Sequence, residues 1–148
     1  MPSMLDPHTR ARMLERLSSL APDALPRWGR MSAAQMVAHL DAQMRDILGE
    51  LKVKPRPNQF RNPVLQWFII EVMLWPRGKL STAPEYVIAS PGELVALVAA
   101  LRTRLESWAA RGEHDAGAVH PLFGPLSGKT LGKLLHKHWS HHLEQFGV

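Results

Sequence analysis

The sequence of 148 residues contains no cysteine. This absence excludes disulfide bonds, thiolate metal sites, iron–sulfur clusters and a cysteine nucleophile. Any metal ion must therefore be held by histidine, aspartate, glutamate or the backbone.

The sequence also lacks a hydrophobic run long enough to cross a membrane. The longest apolar stretch, residues 64–75, includes Gln66 and Glu71 and is far shorter than the about 20 residues that a transmembrane helix needs. Charged residues interrupt residues 1–20, so we see no secretory signal there. We therefore expect a cytoplasmic protein with no membrane partner.

The overall composition is that of an ordinary globular protein. Hydrophobic residues make up 45% and charged residues 21% of the chain, which argues against disorder and against a collagen-like repeat. The length predicts one domain over residues 1–148. The net charge of +5 is compatible with anionic partners and equally with simple solubility. Because no helix-turn-helix signature is present, we expect no nucleic-acid partner.

Two amphipathic helices are predicted in the first third of the chain. Apolar residues at helical spacing follow Asp6 and Pro7, which suit the N-cap and the first turn, and indicate a helix over residues 6–20. A second helix begins at the capping box formed by Ser32 and Gln35, with Met31 before it as a hydrophobic staple. Its apolar residues continue to residue 51.

Two further long helices are predicted in the last third of the chain. Residues 90–93 form another capping box, and the apolar positions after it alternate spacings of four and three residues through Trp108. The last helix begins after Ser127 as N-cap, runs to about Phe146 and is closed by Gly147.

The middle of the chain is rich in proline and predicts loops around one short element. Residues 52–63 must be a loop, and residues 64–75 have the length of a short buried helix or of strands, although Pro63 at a first-turn position favours the helix. The fold class is therefore all-α: a four-helix bundle with long crossover loops and a short extra helix. The short element could also cover a homodimer surface, or it could be buried within one chain.

Histidine is unusually abundant, and four of the eight histidines fall within residues 136–142. His138 and His142 lie on the leucine stripe of the last helix, whereas lysines occupy the opposite face. Two imidazoles four residues apart on one helical face are well placed to share a metal ion. His39, at the edge of the second helix's apolar stripe, is the candidate third ligand.

Other readings of these residues remain open. Interior histidines often only form hydrogen bonds within a core. Gln145 lies on the same face as the histidine pair and could orient an imidazole or simply pack at the helix end. Glu71 is expected to face solvent or pair with an arginine rather than reach a metal pocket. The loop of residues 52–63 carries four basic residues, which we expect to be solvated or to bind an anionic cosubstrate. They are Lys52, Lys54, Arg56 and Arg61.

Two segments carry a resemblance to a known family. Residues 126–148, with the pattern His138-x-x-His141-His142-x-x-Gln145, and residues 31–40, with His39, resemble the last and second helices of the DinB/YfiT-like superfamily. The stretch His-Pro-Leu-Phe-Gly-Pro-Leu at residues 120–126 is similar to one small subfamily, a domain of unknown function.

The resemblance implies a four-helix bundle with a divalent metal ion held by three histidines. Residue by residue, the ligands fall on His39, His138 and His142, while His141 is not expected to ligate and stands beside the site with Gln145. Zinc, nickel, manganese or iron would suit such a site.

The better-known relatives in this superfamily are thiol-S-transferases and isomerases that use low-molecular-weight thiols such as bacillithiol and mycothiol. The resemblance therefore implies a thiol-dependent transferase or related metalloenzyme acting on a small molecule. The absence of cysteine is consistent with this, because the nucleophilic sulfur would come from the cosubstrate. The alternative is a non-catalytic helical-bundle binding or interaction module whose histidines are structural.

Overall fold

The computed structural model describes residues 1–56, 58–79, 82–115 and 119–148. Five α-helices occur in these ranges, and no strand does. The predicted all-α fold is therefore confirmed. The helices are α1 (Pro7–Ser18), α2 (Ala33–Ile47), α3 (Pro63–Trp67, continued by a π-helical turn, Phe68–Val72), α4 (Leu94–Ala109) and α5 (Gly128–Gln145). Short 3-10 turns lie at Gln59–Arg61 and Pro84–Tyr86.

Three of the predicted helix starts are confirmed, because each has the side-chain cap that the sequence indicates. The Asp6 carboxylate accepts a hydrogen bond from the Thr9 amide at 2.7 Å. Ser32 and Gln35 exchange the two bonds of a capping box, at 3.1 and 2.9 Å. Ser127 accepts from the Thr130 amide at 3.1 Å. Each cap satisfies a backbone donor that the first helical turn leaves unpaired.

The end of α5 is also as predicted. Gly147 has a φ of +77°, a conformation that side chains with a Cβ disfavour. The amides of Gly147 and Val148 donate to the carbonyls of Glu144 and Leu143, both at 3.1 Å. This is a Schellman motif, which pairs the last carbonyls of the helix.

The predicted capping box at residues 90–93 is wrong. Helix α4 begins at Leu94, its N-cap is Glu93, and no side chain caps it. A start at Ser90 would put Gly92 in the first turn, where its conformational freedom is lost at a cost of about 1 kcal/mol. A start at Leu94, which is buried, avoids that cost.

The short element predicted at residues 64–75 is helical as far as Val72, as Pro63 indicated, but most of it is not buried. Asn62 caps it, accepting from the amides of Val64 and Leu65. Only Ile69 and Ile70 are buried, whereas Val64 is 74% and Leu74 is 92% exposed. One short helix lying on a larger body can bury only one of its faces. The homodimer stays a prediction, and this exposed surface is where it would form.

The hydrophobic core lies between the four longer helices. Helix α2 packs along α4, while α1 packs against α5 and α4. Fully buried large side chains from these helices form one cluster; they include Leu17, Leu40, Leu101, Leu105, Trp108, Leu135 and Trp139. Burying each aliphatic side chain of this kind stabilises the fold by about 1.5–3 kcal/mol. Among the residues described, no helix is long and apolar enough to span a bilayer.

Candidate metal centre

The three histidines singled out by the sequence come together between α2 and α5. The Nε2 atom of His138 lies 3.1 Å from Nε2 of His39 and 3.1 Å from Nε2 of His142. One ring nitrogen from each histidine lies within 4.8 Å of the others. His39 and His142 are buried, and His138 is partly buried. The core packing of Leu135 and Trp139 fixes the rotation of α5 and so turns its two histidines toward α2.

Two of the three separations between these nitrogens fit a single shared ion. Two imidazole nitrogens at about 2.0–2.1 Å from one tetrahedral zinc ion lie about 3.3 Å apart. The two 3.1 Å separations are close to this value. Neutral imidazole is a donor that suits zinc, nickel and iron, three of the four ions that the resemblance implies, whereas manganese prefers oxygen ligands.

Each of the three imidazoles uses its other nitrogen, Nδ1, to contact an oxygen on the outer side of the cluster. His39 Nδ1 lies 3.2 Å from the Tyr86 carbonyl. His138 Nδ1 lies 2.8 Å from Oε1 of Gln43. His142 Nδ1 lies 2.9 Å from Oε1 of Gln145.

These contacts fix the protonation of the rings. A carbonyl oxygen only accepts hydrogen bonds, so Nδ1 of His39 carries the proton. The Nε2 of Gln145 donates to the Trp28 carbonyl at 2.7 Å, which leaves its Oε1 to accept from His142. In a neutral ring with the proton on Nδ1, the Nε2 atom keeps its lone pair. Three lone pairs therefore converge, which is the arrangement that oriented metal-ligating histidines show.

The surroundings keep the rings neutral. Burial lowers the pKa of His39, and it lowers the pKa of His142 to about 3, with the neighbouring His39 adding to the effect. Burial and the adjacent His142 and His39 lower the pKa of His138. Each ring is therefore uncharged near pH 7 and available as a ligand.

A cavity of about 570 Å³ adjoins the three histidines. Its wall is largely aromatic and aliphatic and includes Trp28, Phe60, Phe68, Trp75, Phe123 and Leu134. Arg30 and Arg56 also line it, and no aspartate or glutamate does among the described residues. A cavity with apolar walls and a few convergent polar groups is typical of a small-molecule site.

His141 and Gln145 lie beside the three histidines, where the sequence places them. The ring of His141 contacts Trp28, with 5.5 Å between ring centroids, and Trp75 at 6.1 Å. It lines the cavity rather than the cluster of nitrogens. Gln145 bridges His142 to the loop before α2 through the Trp28 carbonyl.

Sequence reasoning missed two partners of the imidazoles, Gln43 and Tyr86. Gln43 lies four residues after His39, the same spacing as His138 and His142, and that spacing is a signal that could have found it. Tyr86 offers its backbone carbonyl, for which no side-chain pattern exists. Its hydroxyl donates to the buried Asp46 carboxylate at 2.6 Å, which holds the residue in place.

The remaining candidates lie largely outside the site. Glu71 does not join the histidines; it is exposed, as expected, and its carboxylate pairs with Lys133 at 2.6 Å, a lysine instead of an arginine. In the basic loop, Lys52 and Lys54 are exposed, as predicted. Arg56 differs, because it lines the cavity and lies 3.8 Å from Glu85.

The fold and the site together define an all-α protein with a three-histidine cluster beside an apolar cavity. Comparison with protein families gives the same class, since the model of the DinB superfamily matches residues 7–146. The chain belongs to the DinB superfamily. Comparisons with curated proteins and with solved structures gave no match.

Proposed function

We propose that the chain binds one divalent metal ion through Nε2 of His39, His138 and His142 and uses it to act on a small molecule held in the adjoining cavity. One observation carries the proposal. All three Nδ1 atoms are turned toward oxygen acceptors, so all three Nε2 lone pairs face one another. DinB-like proteins often bind metal, which supports the same reading.

A purely structural role for the histidines explains this arrangement less well. A buried polar group without a partner costs about 1–3 kcal/mol. Core histidines that served only stability would place a proton between neighbouring nitrogens, with one ring donating to the next. The outward contacts take up the ring protons, and an ion at the centre would satisfy all three lone pairs together.

A bound divalent ion would supply Lewis acidity, which lowers the pKa of a thiol or water molecule that binds to it. Three neutral imidazoles bring no negative charge to offset the positive charge of the ion. Because the chain has no cysteine, a nucleophilic sulfur would come from a low-molecular-weight thiol. This is the chemistry of the thiol-S-transferases that the sequence resembles, and it suits a cytoplasmic location, where thiols stay reduced.

The chain's own residues would position the reactants. The aromatic wall of the cavity, which includes Trp28 and Trp75, excludes water and packs on the apolar part of a substrate. Gln43, Gln145 and the Tyr86 carbonyl hold the three imidazoles in one orientation. Arg30 and Arg56 give the cavity a positive potential that favours an anionic substrate or cosubstrate.

Metal binding by protein without a histidine tag tests the proposal. We expect one zinc, nickel or manganese ion per chain by elemental analysis, and one site by calorimetric titration. Zinc at 100 times its Kd should stabilise the fold by about 2.7 kcal/mol and raise Tm by about 5–10 °C. His138→Ala should remove both effects, whereas His8→Ala, at an exposed position on α1, should keep them.

Less than one ion per wild-type chain after metal addition would overturn the proposal. So would a His138→Ala variant that binds zinc as tightly as the wild type does. Either result would favour a non-catalytic binding module in which the histidines are structural.

A further inference from the structure

A fourth histidine, His120, lies outside the three-histidine cluster but lines the same cavity. It begins a tight turn that His120 and Gly124 close, because the amide of each donates to the carbonyl of the other at 3.0 and 2.9 Å. Gly124 has a φ of +75°, which permits the sharp reversal. The ring of Phe123 packs beside the imidazole, with 5.0 Å between centroids.

The turn fixes which nitrogen of His120 carries the proton. The amides of Leu122 and Phe123 both donate to Nδ1, each at 3.2 Å. Since backbone amides only donate, Nδ1 is unprotonated and the neutral ring carries its proton on Nε2. This tautomer is the opposite of the one found in His39, His138 and His142. Burial lowers the pKa of His120 to about 4, so the ring is neutral near pH 7.

The Nε2–H group of His120 is left free to bind a ligand. Among the described residues, this group has no hydrogen-bond partner. It is also not among the unpaired polar atoms that are buried away from solvent. Arg56 lines the same cavity, and its amide donates to the carbonyl of Pro121, the residue after His120, at 2.9 Å. No acidic side chain in the described part of the chain lines the cavity, and the nearest carboxylate to Arg56, that of Glu85, lies 3.8 Å from its guanidinium.

We propose that His120 is a substrate-binding residue whose Nε2–H donates a hydrogen bond to an anionic oxygen of the ligand, with Arg56 adding positive charge nearby. The ligand class is then a small molecule with an apolar body and a carboxylate or similar anionic oxygen. This inference rests on the proposed function only in taking the cavity as the ligand site. The hydrogen bond itself needs no metal ion.

Two substitutions separate the two nitrogens of the ring. His120→Asn keeps an acceptor, Oδ1, near the position of Nδ1 and removes the donor at Nε2. His120→Gln places an amide N–H group near the position of Nε2 but offers no acceptor to the turn amides. We therefore expect the asparagine variant to have the higher Tm of the two and the glutamine variant to have the better ligand affinity.

The probe is 4-phenylbutyrate, compared with its uncharged amide, titrated into metal-free and zinc-loaded protein. The fluorescence of Trp28 and Trp75, which line the cavity, or calorimetry gives the affinity. His120→Asn should bind the carboxylate about 10–100-fold more weakly than the wild type in both forms. Its affinity for the amide should change less, and His8→Ala should bind both probes as the wild type does.

A folded His120→Asn variant that binds 4-phenylbutyrate as well as the wild type would overturn this inference, as would wild-type protein that shows no saturable binding at millimolar concentrations. Zinc stoichiometry measured on the same samples keeps the two proposals apart. One zinc per chain in wild type and variant, with equal probe affinity, would refute the role of His120 alone. His120-dependent probe binding without any zinc site would refute the metal centre alone.

Discussion

Helix α2 buries polar side chains in two networks that differ in one respect. In the first, each buried carboxylate has a side-chain donor: Tyr86 donates to Asp46 at 2.6 Å, and Arg104 donates to Asp41 at 2.8 Å. In the second, built around His39, the outer nitrogens are paired with oxygens while the three inner nitrogens face one another. Both networks are buried or nearly so, and both join α2 to another part of the chain.

This difference is the reason why we propose a structural role for the first network and a binding site at the second. A paired network offsets the cost of taking its groups out of water, so it needs nothing further. A network whose acceptors converge without donors is less stable by itself and becomes satisfied only when a cation arrives. Local violations of hydrogen-bond pairing are expected at functional sites, and the cavity beside the histidines places this one where a ligand can reach it.

The largest effect is expected at the three-histidine cluster when the pH falls. The folded pKa values of His39, His138 and His142 are lowered by burial, whereas an unfolded histidine titrates near 6.5. The unfolded chain therefore binds more protons below that value, and stability is lost as the pH falls. Each histidine contributes a loss of up to about 1.4 kcal/mol per pH unit below about 6.5. Urea denaturation of metal-free protein at pH 7 and pH 5 measures the loss.

A variant with one histidine fewer provides a matched control for this loss of stability at low pH. His142→Gln removes one titrating ring and should show a smaller loss of stability between pH 7 and pH 5 than the wild type does. Equal stability of the wild type at the two pH values would contradict buried, neutral imidazoles at the centre.

The paired network is probed by Tyr86→Phe, which leaves the Asp46 carboxylate without its hydroxyl donor. We expect a loss of about 1–3 kcal/mol in the free energy of unfolding. Burial already raises the pKa of Asp46, while the bond from Tyr86 lowers it. Losing that bond raises the folded pKa further, and a raised carboxyl pKa costs stability as the pH rises above its ordinary value. The destabilisation should therefore be larger at pH 7 than at pH 4.

The same variant should leave the three-histidine cluster intact, because His39 contacts the backbone carbonyl of Tyr86 and not its hydroxyl. Zinc stoichiometry of Tyr86→Phe is therefore expected to equal that of the wild type. A variant as stable as the wild type, or one that no longer binds zinc, would show that the two networks are not separate in the way described.

A further change, measured in metal affinity, is expected from Gln145→Leu, which removes the acceptor that orients His142. Loss of an outer partner of a ligating histidine typically weakens metal affinity by about 10–100-fold. Calorimetric zinc titration should show this loss, and Gln43→Leu should show a similar one through His138. Tyr86→Phe is the control, and a Gln145→Leu variant with wild-type zinc affinity would contradict the role of these amides.

The sequence predicts well the structural features that depend on residues within one helix. The caps at Asp6, Ser32 and Ser127 and the closing Gly147 depend on residues within three or four positions of each other, and all four are confirmed. The capping box at residues 90–93 fits the same pattern and is wrong, because a side-chain pattern does not include the backbone cost of Gly92. The sequence left open whether α3 is buried or exposed, because hydrophobic composition does not show how much surface the rest of the fold can cover.

The sequence by itself determined the helices and put His138 and His142 on one face, since residues four apart on a helix are always neighbours. Only the tertiary structure decided that His39 meets them, that the carbonyls of Tyr86 and Trp28 and the amides of Gln43 and Gln145 fix the rings, and that a cavity lies alongside. The contacts of His39 with Tyr86 and His138 and that of Gln145 with Trp28 join residues 47, 99 and 117 positions apart. Such pairs are set by how whole helices pack against one another, and no rule of local spacing specifies them.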